Sequence, residues 1–395
     1  MIARPRLLID LSAAFNQGAG IGRYARNLVG AAAPELGSIF DLTGWYAPDP
    51  TSGDSFHDLA NSSLGHLAGM SRRSPLSRRR IDQLWFRLPL AATARLLAPG
   101  ASVVYSPDFT APPVAGAAVV VTVHDLAFLK APEHCPVALR RYLTSVVPRQ
   151  IERASRVVVV SEATREDLIS TYSVDSRRIS VIPNAADERF FGASRLTDND
   201  RLRLGLPERY LLSVGTLEPR KNHRTIFRAM ERIFAETGVP LVVVGRDGWS
   251  NAEIRAAMRT LVGVGAVVDL TNADDAQLPG LYAGAAGVLQ LSWYEGFGIP
   301  VVEALAAGAP VLASDIPAHR EVAAGAATLV APGDVDAVVA ATLRMLEDSG
   351  RRHPGPGEAA ARAFSWGRSG TMLAELLREV NDGREPGRRV SADPV

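Results

Sequence analysis

The sequence predicts an α/β protein made of two doubly wound units, and three observations predict it. The chain has 395 residues, more than one ordinary domain holds and enough for two. Its residues are 47% apolar but only 6% aromatic, a balance that suits helices packed on parallel strands better than an all-β sandwich. Short continuous apolar runs alternate with helical stretches almost throughout, as in parallel sheets covered on both faces.

In the first half the strands read as 6–11, 102–105, 118–123, 156–160 and 179–182, with helices over 22–33, 136–154 and 162–172. In the second half the strands read as 210–214, 241–244, 266–270, 287–291, 310–313 and 328–330. The helices between them read as 222–236, 250–261, 274–284, 300–307, 317–323 and 334–347. The polar stretch 192–207, with Arg195, Asp198, Asp200, Arg201 and Arg203, reads as a linker between units 1–191 and 208–358. A Gly/Pro/Arg loop follows Glu347, then a helical stretch over 359–380. The tail 381–395 is polar and aperiodic, and is expected to be disordered.

Composition narrows the function. Lys plus Arg is 43 against 42 for Asp plus Glu, so the basic surplus of a general nucleic-acid binder is missing. Cys135 is the only cysteine, which excludes an internal disulfide and a Cys-rich metal site and reads as a reducing compartment. The N-terminus shows no apolar signal core. The longest apolar run, 111–123, holds two prolines and falls short of the ~20 residues a span needs. A cytoplasmic protein is expected, at most resting on the inner face of the membrane. The basic stretch 71–80, SRRSPLSRRR, reads either as a solvated loop or as a contact to anionic lipid headgroups or an acidic acceptor.

Ligands of such sheets bind beyond the carboxyl ends of the strands, so the chemistry is sought there. After the first strand comes NQGAGIG at 16–22, a glycine-rich entry to a helix that is either a phosphate approach or a plain turn. It is no dinucleotide fingerprint, because Arg23 or Ala25 stands where the last glycine should be. His124 ends the third strand, either as a structural hydrogen-bonding group or as a contact to sugar or phosphate. Ser161 reads as a helix cap. In the second half, Gly215 to Asn222 (GTLEPRKN) sets Arg220 and Lys221 at a helix entrance, where adjacent cations neutralise leaving-group charge without metal. The strongest segment is EGFGIPVVE at 295–303. Gly296 and Gly298 make a tight loop, and Pro300 suits the first helical position. The amides over 297–301 are expected to be free to bind an anion, and Glu303 to lie in the first helical turn. Two glutamates framing such a loop suit hydroxyl acceptors, one for a sugar and one for a ribose.

These residues resemble the retaining glycosyltransferases of family 4, whose fold, GT-B, is two facing Rossmann-like domains. The resemblance rests on Glu295 and Glu303 as E-x7-E, on GTLEPRKN at 215–222, HDLAFL at 124–129, GIGRY at 20–24, and VSEATREDL…ISVIPNA at 160–185. It spans roughly residues 6–375. It implies that Arg220 and Lys221 bind the two phosphates, with Gly20 against them from the other domain and Gly215 in the same donor-binding segment. Glu295 would contact the donor sugar, and the backbone of Gly296, Phe297, Gly298 and Ile299 would hold sugar and phosphate. Glu303 would hold the ribose hydroxyls, and His124 would lie beside the transferred sugar. It further implies a final helix, starting near Phe364-Ser-Trp366, that crosses back to the first domain. Thr216 departs from the family, where arginine is frequent, and Arg220 beside Lys221 would compensate. Leu270-Thr271 stands where the strand next to the nucleotide base usually ends in glycine.

The resulting expectation is a retaining, metal-independent hexosyltransferase without a cofactor. Its donor would be a nucleotide sugar, GDP-mannose first and UDP- or dTDP-sugars behind it. Its acceptor would be a glycan, a lipid-linked glycan or a small molecule. No carboxylate pair of the kind hydrolysis needs is evident, and Asp274-Asp275 reads as a helix cap rather than a metal motif. Rival readings on the same architecture are a nucleotide-sugar epimerase, a nicotinamide-linked oxidoreductase and a non-catalytic nucleotide-sugar binding protein. The site decides among them, not the fold.

Overall fold

The computed structural model describes residues 3–18, 20–49, 64, 67, 71–87, 99–270, 273–348 and 354–383. Thr271, the loop residues 349–353 and nearly all of the tail lie outside the described residues.

Two parallel sheets carry the chain. The first has seven strands in the order β3-β2-β1-β4-β5-β6-β7, and the second has six in the order β10-β9-β8-β11-β12-β13. In chain order the first seven are β1 Arg6–Asp10, β2 Asp41–Tyr46, β3 Arg72–Arg73, β4 Ala101–Ser106, β5 Ala118–Val123, β6 Arg156–Val159 and β7 Ile179–Val181. The others are β8 Leu211–Val214, β9 Leu241–Val244, β10 Val267–Asp269, β11 Gly287–Gln290, β12 Val311–Ser314 and β13 Thr328–Val330. The order reverses between β1 and β4 and between β8 and β11, so each sheet opens a crevice at that point. The central strands are apolar on both faces because helices cover both. Leu7, Leu8 and Ile9 of β1 and all four residues of β9 are buried.

The sequence misses β2. Its DLTGWY interrupts apolar character with Asp41, Thr43 and Gly44. Gly44 is needed there, since a Cβ would overlap Ser71 Oγ. The basic stretch 71–80 is not wholly a solvated loop. Arg72–Arg73 form an edge strand on β2, and the helix Arg78–Arg87 begins within the stretch. Arg78 leaves the surface to pair with the buried Asp10 at 2.8 Å.

The C-terminal stretch also differs from expectation. It forms two helices, Pro354–Arg362 and Trp366–Asp382, rather than a loop followed by one helix. PGPG starts the first, where a proline costs no hydrogen bond. The second starts at a cap, Ser365 Oγ accepting Arg368 N–H at 3.2 Å. It returns to the first half and packs on the helix Ile21–Ile39, where Gly370 lets the two backbones close on Ala31 and Ala32.

Candidate active site

The loops at the two reversal points face each other. After β8 the chain makes the single turn Pro219–Lys221, then the helix His223–Thr237. Asn222 adopts a left-handed conformation and its amide donates to Leu291 O (3.0 Å) and Pro332 O (2.6 Å), fixing the turn against the segments after β11 and β13. Arg220 and Lys221 thereby reach Glu295. Arg220 Nη1 donates to Glu295 Oε2 at 2.7 Å and Lys221 Nζ to Glu295 Oε1 at 2.5 Å, while Ser292 Oγ donates to Oε1 at 2.6 Å. Arg220 Nη2 also lies 2.7 Å from Glu218. Burial raises the Glu295 carboxyl, but Arg220 and Lys221 outweigh it and hold the group well below the usual carboxylate range. Burial opposes the Arg220 charge and is likewise outweighed, by Glu295 and Glu218. Two cations thus face two carboxylates in one tightly held cluster.

The Lys221 stem lies across the end of β8, 3.7 Å from the Cβ position of Gly215. Gly298 opens the helix Ile299–Ala306 at φ 110°, a left-handed conformation that suits glycine. Phe297 is buried edge-on to Phe364 at 5.2 Å. Two details differ from the sequence reading. Val301 N–H donates to Gly298 O, so among the described residues the amides within 297–301 that lack a backbone acceptor are those of Phe297, Gly298 and Ile299. Because Ile299 joins the helix ahead of Pro300, Glu303 lies in the second turn rather than the first.

The first half contributes from across the crevice. Gly20 precedes the helix Ile21–Ile39 at φ 58°. A Cβ at Gly296 would overlap His124 O, so the glycine is what lets the two halves touch there. The His124 side chain does not stand free in the crevice. Its Nε2 donates to Pro107 O at 2.8 Å, Tyr24 and Phe109 pack on the ring, and burial lowers its pKa, so it is neutral and structurally engaged. Ser161 caps the helix Glu162–Tyr172 as expected, and its hydroxyl also donates to Gly296 O across the crevice at 2.5 Å. Further bonds join the halves. Tyr294 Oη donates to Asp167 at 2.7 Å, and Glu321 accepts from Glu162 N and Ala163 N at 3.0 and 3.1 Å. Trp249 Nε1 donates to His134 O at 2.9 Å.

Two basic residues at the crevice escape the sequence reading. Arg246, just after β9, brings a guanidinium nitrogen within 3.2 Å of the Cβ position of Gly18. A cation directly after a strand and Gly245 was the available signal. Arg23 lies inside GIGRY, where attention to the glycines hides it, and forms a 2.6 Å ion pair with Glu303.

Comparison with known proteins gives this geometry its family. The model described as Glycosyltransferase Family 4 matches residues 19–190, and that described as Glycosyl transferases group 1 matches 195–360. The chain is 30% identical over 357 residues to the O-antigen chain mannosyltransferase B of Escherichia coli, covering 88% of this chain and 92% of that one. The chain belongs to the GT-B glycosyltransferases. The fold of this glycosyltransferase matches sucrose-phosphate synthase from Thermosynechococcus elongatus with a TM-score of 0.74 at 21% identity, over 96% of this chain and all of that one. It matches Anabaena HepE, solved with UDP-glucose, with a TM-score of 0.73 at 18% identity, over 95% and 99% of the two chains. Among the described residues no helix of the glycosyltransferase is long and apolar enough to cross a membrane.

Proposed function

We propose that this glycosyltransferase retains anomeric configuration, needs no metal or cofactor, and moves mannose from GDP-mannose to an acceptor hydroxyl during glycan assembly. One observation carries the reading: Arg220, Lys221 and Glu295 meet at the point where the second sheet reverses, beside free loop amides. A diphosphate entering there takes over cations that Glu295 now occupies. Charge growing on the departing phosphate is then met by two fixed positive groups and by the amides over 297–299. Glu295, released, is in reach of the sugar hydroxyls. Transfer goes through an oxocarbenium-like state on the front face, and the departing phosphate oxygen takes the acceptor proton. Phosphate, not a side chain, serves as base; the buried His124 ring is enclosed by Pro107, Tyr24 and Phe109. The His124 backbone lines the sugar subsite. Mannose is favoured because a relative covering 88% of this chain is named for mannose in an O-antigen chain. The HepE structures hold UDP or UDP-glucose, which supports a nucleotide sugar of some kind as the donor.

A thermal-shift panel of GDP, UDP, dTDP and ADP tests the donor. GDP should stabilise most, by about 2.7 kcal/mol at a hundredfold excess over its dissociation constant. If no nucleoside diphosphate stabilises the protein, the reading fails. If UDP wins, the sugar assignment goes and the reaction class stays.

A further inference from the structure

Arg23 reaches from the first half into a buried pocket of the second. Its Nη1 lies 2.6 Å from Glu303 Oε1, with the Glu303 side chain only 2% exposed. The guanidinium also lies 5.7 Å from the Phe190 ring centre and 4.0 Å from Asp275 Oδ1. Tyr282 Oη donates to Glu303 Oε2 at 3.2 Å. The ion pair is not an aligned hydrogen bond. Among the described residues neither Glu303 Oε1 nor Arg23 Nη2 has a hydrogen-bond partner, although both atoms are buried. A buried carboxylate oxygen in that condition is costly unless a donor arrives.

Resting on the reading of Glu303 as the residue that holds the ribose, we propose that Arg23 is a positioning residue for the donor: it keeps Glu303 ionised so that the carboxylate can accept both ribose hydroxyls. A carboxylate accepts at two oxygens, whereas a carboxylic acid spends one of them as a donor. Hydroxyls bring no charge, so the cation that holds the carboxylate ionised must come from the protein. Burial pushes the Glu303 pKa up, and Arg23 is the largest influence against it. Asp275 adds to the upward push, while Tyr282 and, more weakly, Arg189 oppose it. The helix Pro317–Ala323, packed on the helix Ile299–Ala306 that carries Glu303, turns His319 toward Glu295 and Lys221. In Pro354–Arg362, Glu358 and Arg362 pair with each other. Burial already outweighs Arg23 and leaves the carboxyl above its ordinary range, so removing Arg23 would raise it further.

The test is calorimetric binding of GDP and UDP, each against its 2′-deoxy counterpart, to the full chain at about pH 6 and about pH 8.5. Taking the ribo-to-deoxy affinity ratio at each pH cancels the titration of the phosphates. The wild-type ratio should be the same at both. In Arg23→Gln it should fall about tenfold at the lower pH and recover at the higher, and Arg23→Lys should keep the wild-type behaviour. A ratio that Arg23→Gln leaves unchanged, or lowers equally at both pH values, overturns the role. Glu303→Gln separates the two ideas. If that variant keeps the wild-type ratio, the ribose reading of Glu303 is wrong. If it loses the ratio while Arg23→Gln does not, only the role of Arg23 falls. Should Arg23→Gln not fold, Arg23→Met, which keeps the packing on Phe190, is read the same way.

Discussion

Arg220 and Lys221 are neighbours with different exposure to failure. Arg220 holds Glu295, Glu218 and the Tyr294 carbonyl, so truncating it strips buried Glu218 of its ion-pair partner and leaves buried Glu295 with only Lys221 and Ser292. Arg220→Ala should therefore lower the unfolding free energy by about 3–5 kcal/mol, read from urea midpoints, as well as reducing turnover. Among the described residues the Lys221 ammonium pairs with the Glu295 carboxylate, which keeps Arg220 and Ser292 when the lysine is removed. Lys221→Ala should fold almost normally and lose about 2–4 kcal/mol of transition-state stabilisation in kcat/KM. An unchanged kcat/KM in that variant would show that no leaving-group charge develops beside Lys221.

At the scale of elements, the glycine loop over 295–298 joins three structures: the cation turn, the helix Ile299–Ala306 and the facing half. Gly298→Ala forces a side chain into φ 110° and toward His319, and should cost about 1–3 kcal/mol of stability with a matching loss of nucleotide affinity. Differential scanning calorimetry with and without GDP checks both. Most of this element was legible in the sequence, because alternating apolar runs, a Gly-rich turn and a proline at a helix start are local signals. What stayed hidden was non-local. β2 breaks its apolar run with Asp41 and Gly44, and becomes a strand only because β1 and β3 pair with it. Arg23 looks like an ordinary helix surface residue until the second half arrives to bury it. Ser161 could be read as a cap, but its second bond, to Gly296, depends on a loop 135 residues away. The engagement of His124 with Pro107 likewise depends on the turn after β4, which no spacing announces.

At the scale of the molecule, the halves close through polar contacts, with buried histidines beside the cleft. Burial lowers His223 to about 3 and His319 to about 4. Both stay neutral in the fold down to those values, while the unfolded chain protonates near pH 6.5. The unfolded state thus binds more protons as pH falls, so the histidines should make stability drop between about pH 6.5 and 5. Urea midpoints across that window should slope downward with acid, and His319→Asn should flatten the slope. Tyr294→Phe removes the bonds to Asp167 and Leu126 that tie the halves. It should cost about 1 kcal/mol and leave the free protein more open, seen as a larger radius of gyration by X-ray scattering.

Closure also finishes a piece of secondary structure. The first turn of the helix Glu162–Tyr172 leaves amides that its own segment cannot satisfy, and the carboxylate that receives two of them, Glu321, belongs to the other half of the molecule. When the cleft opens, those two N–H groups must turn to water. Deuterium uptake at Glu162 and Ala163 is therefore a built-in gauge of the open population, readable one residue at a time and without any attached probe.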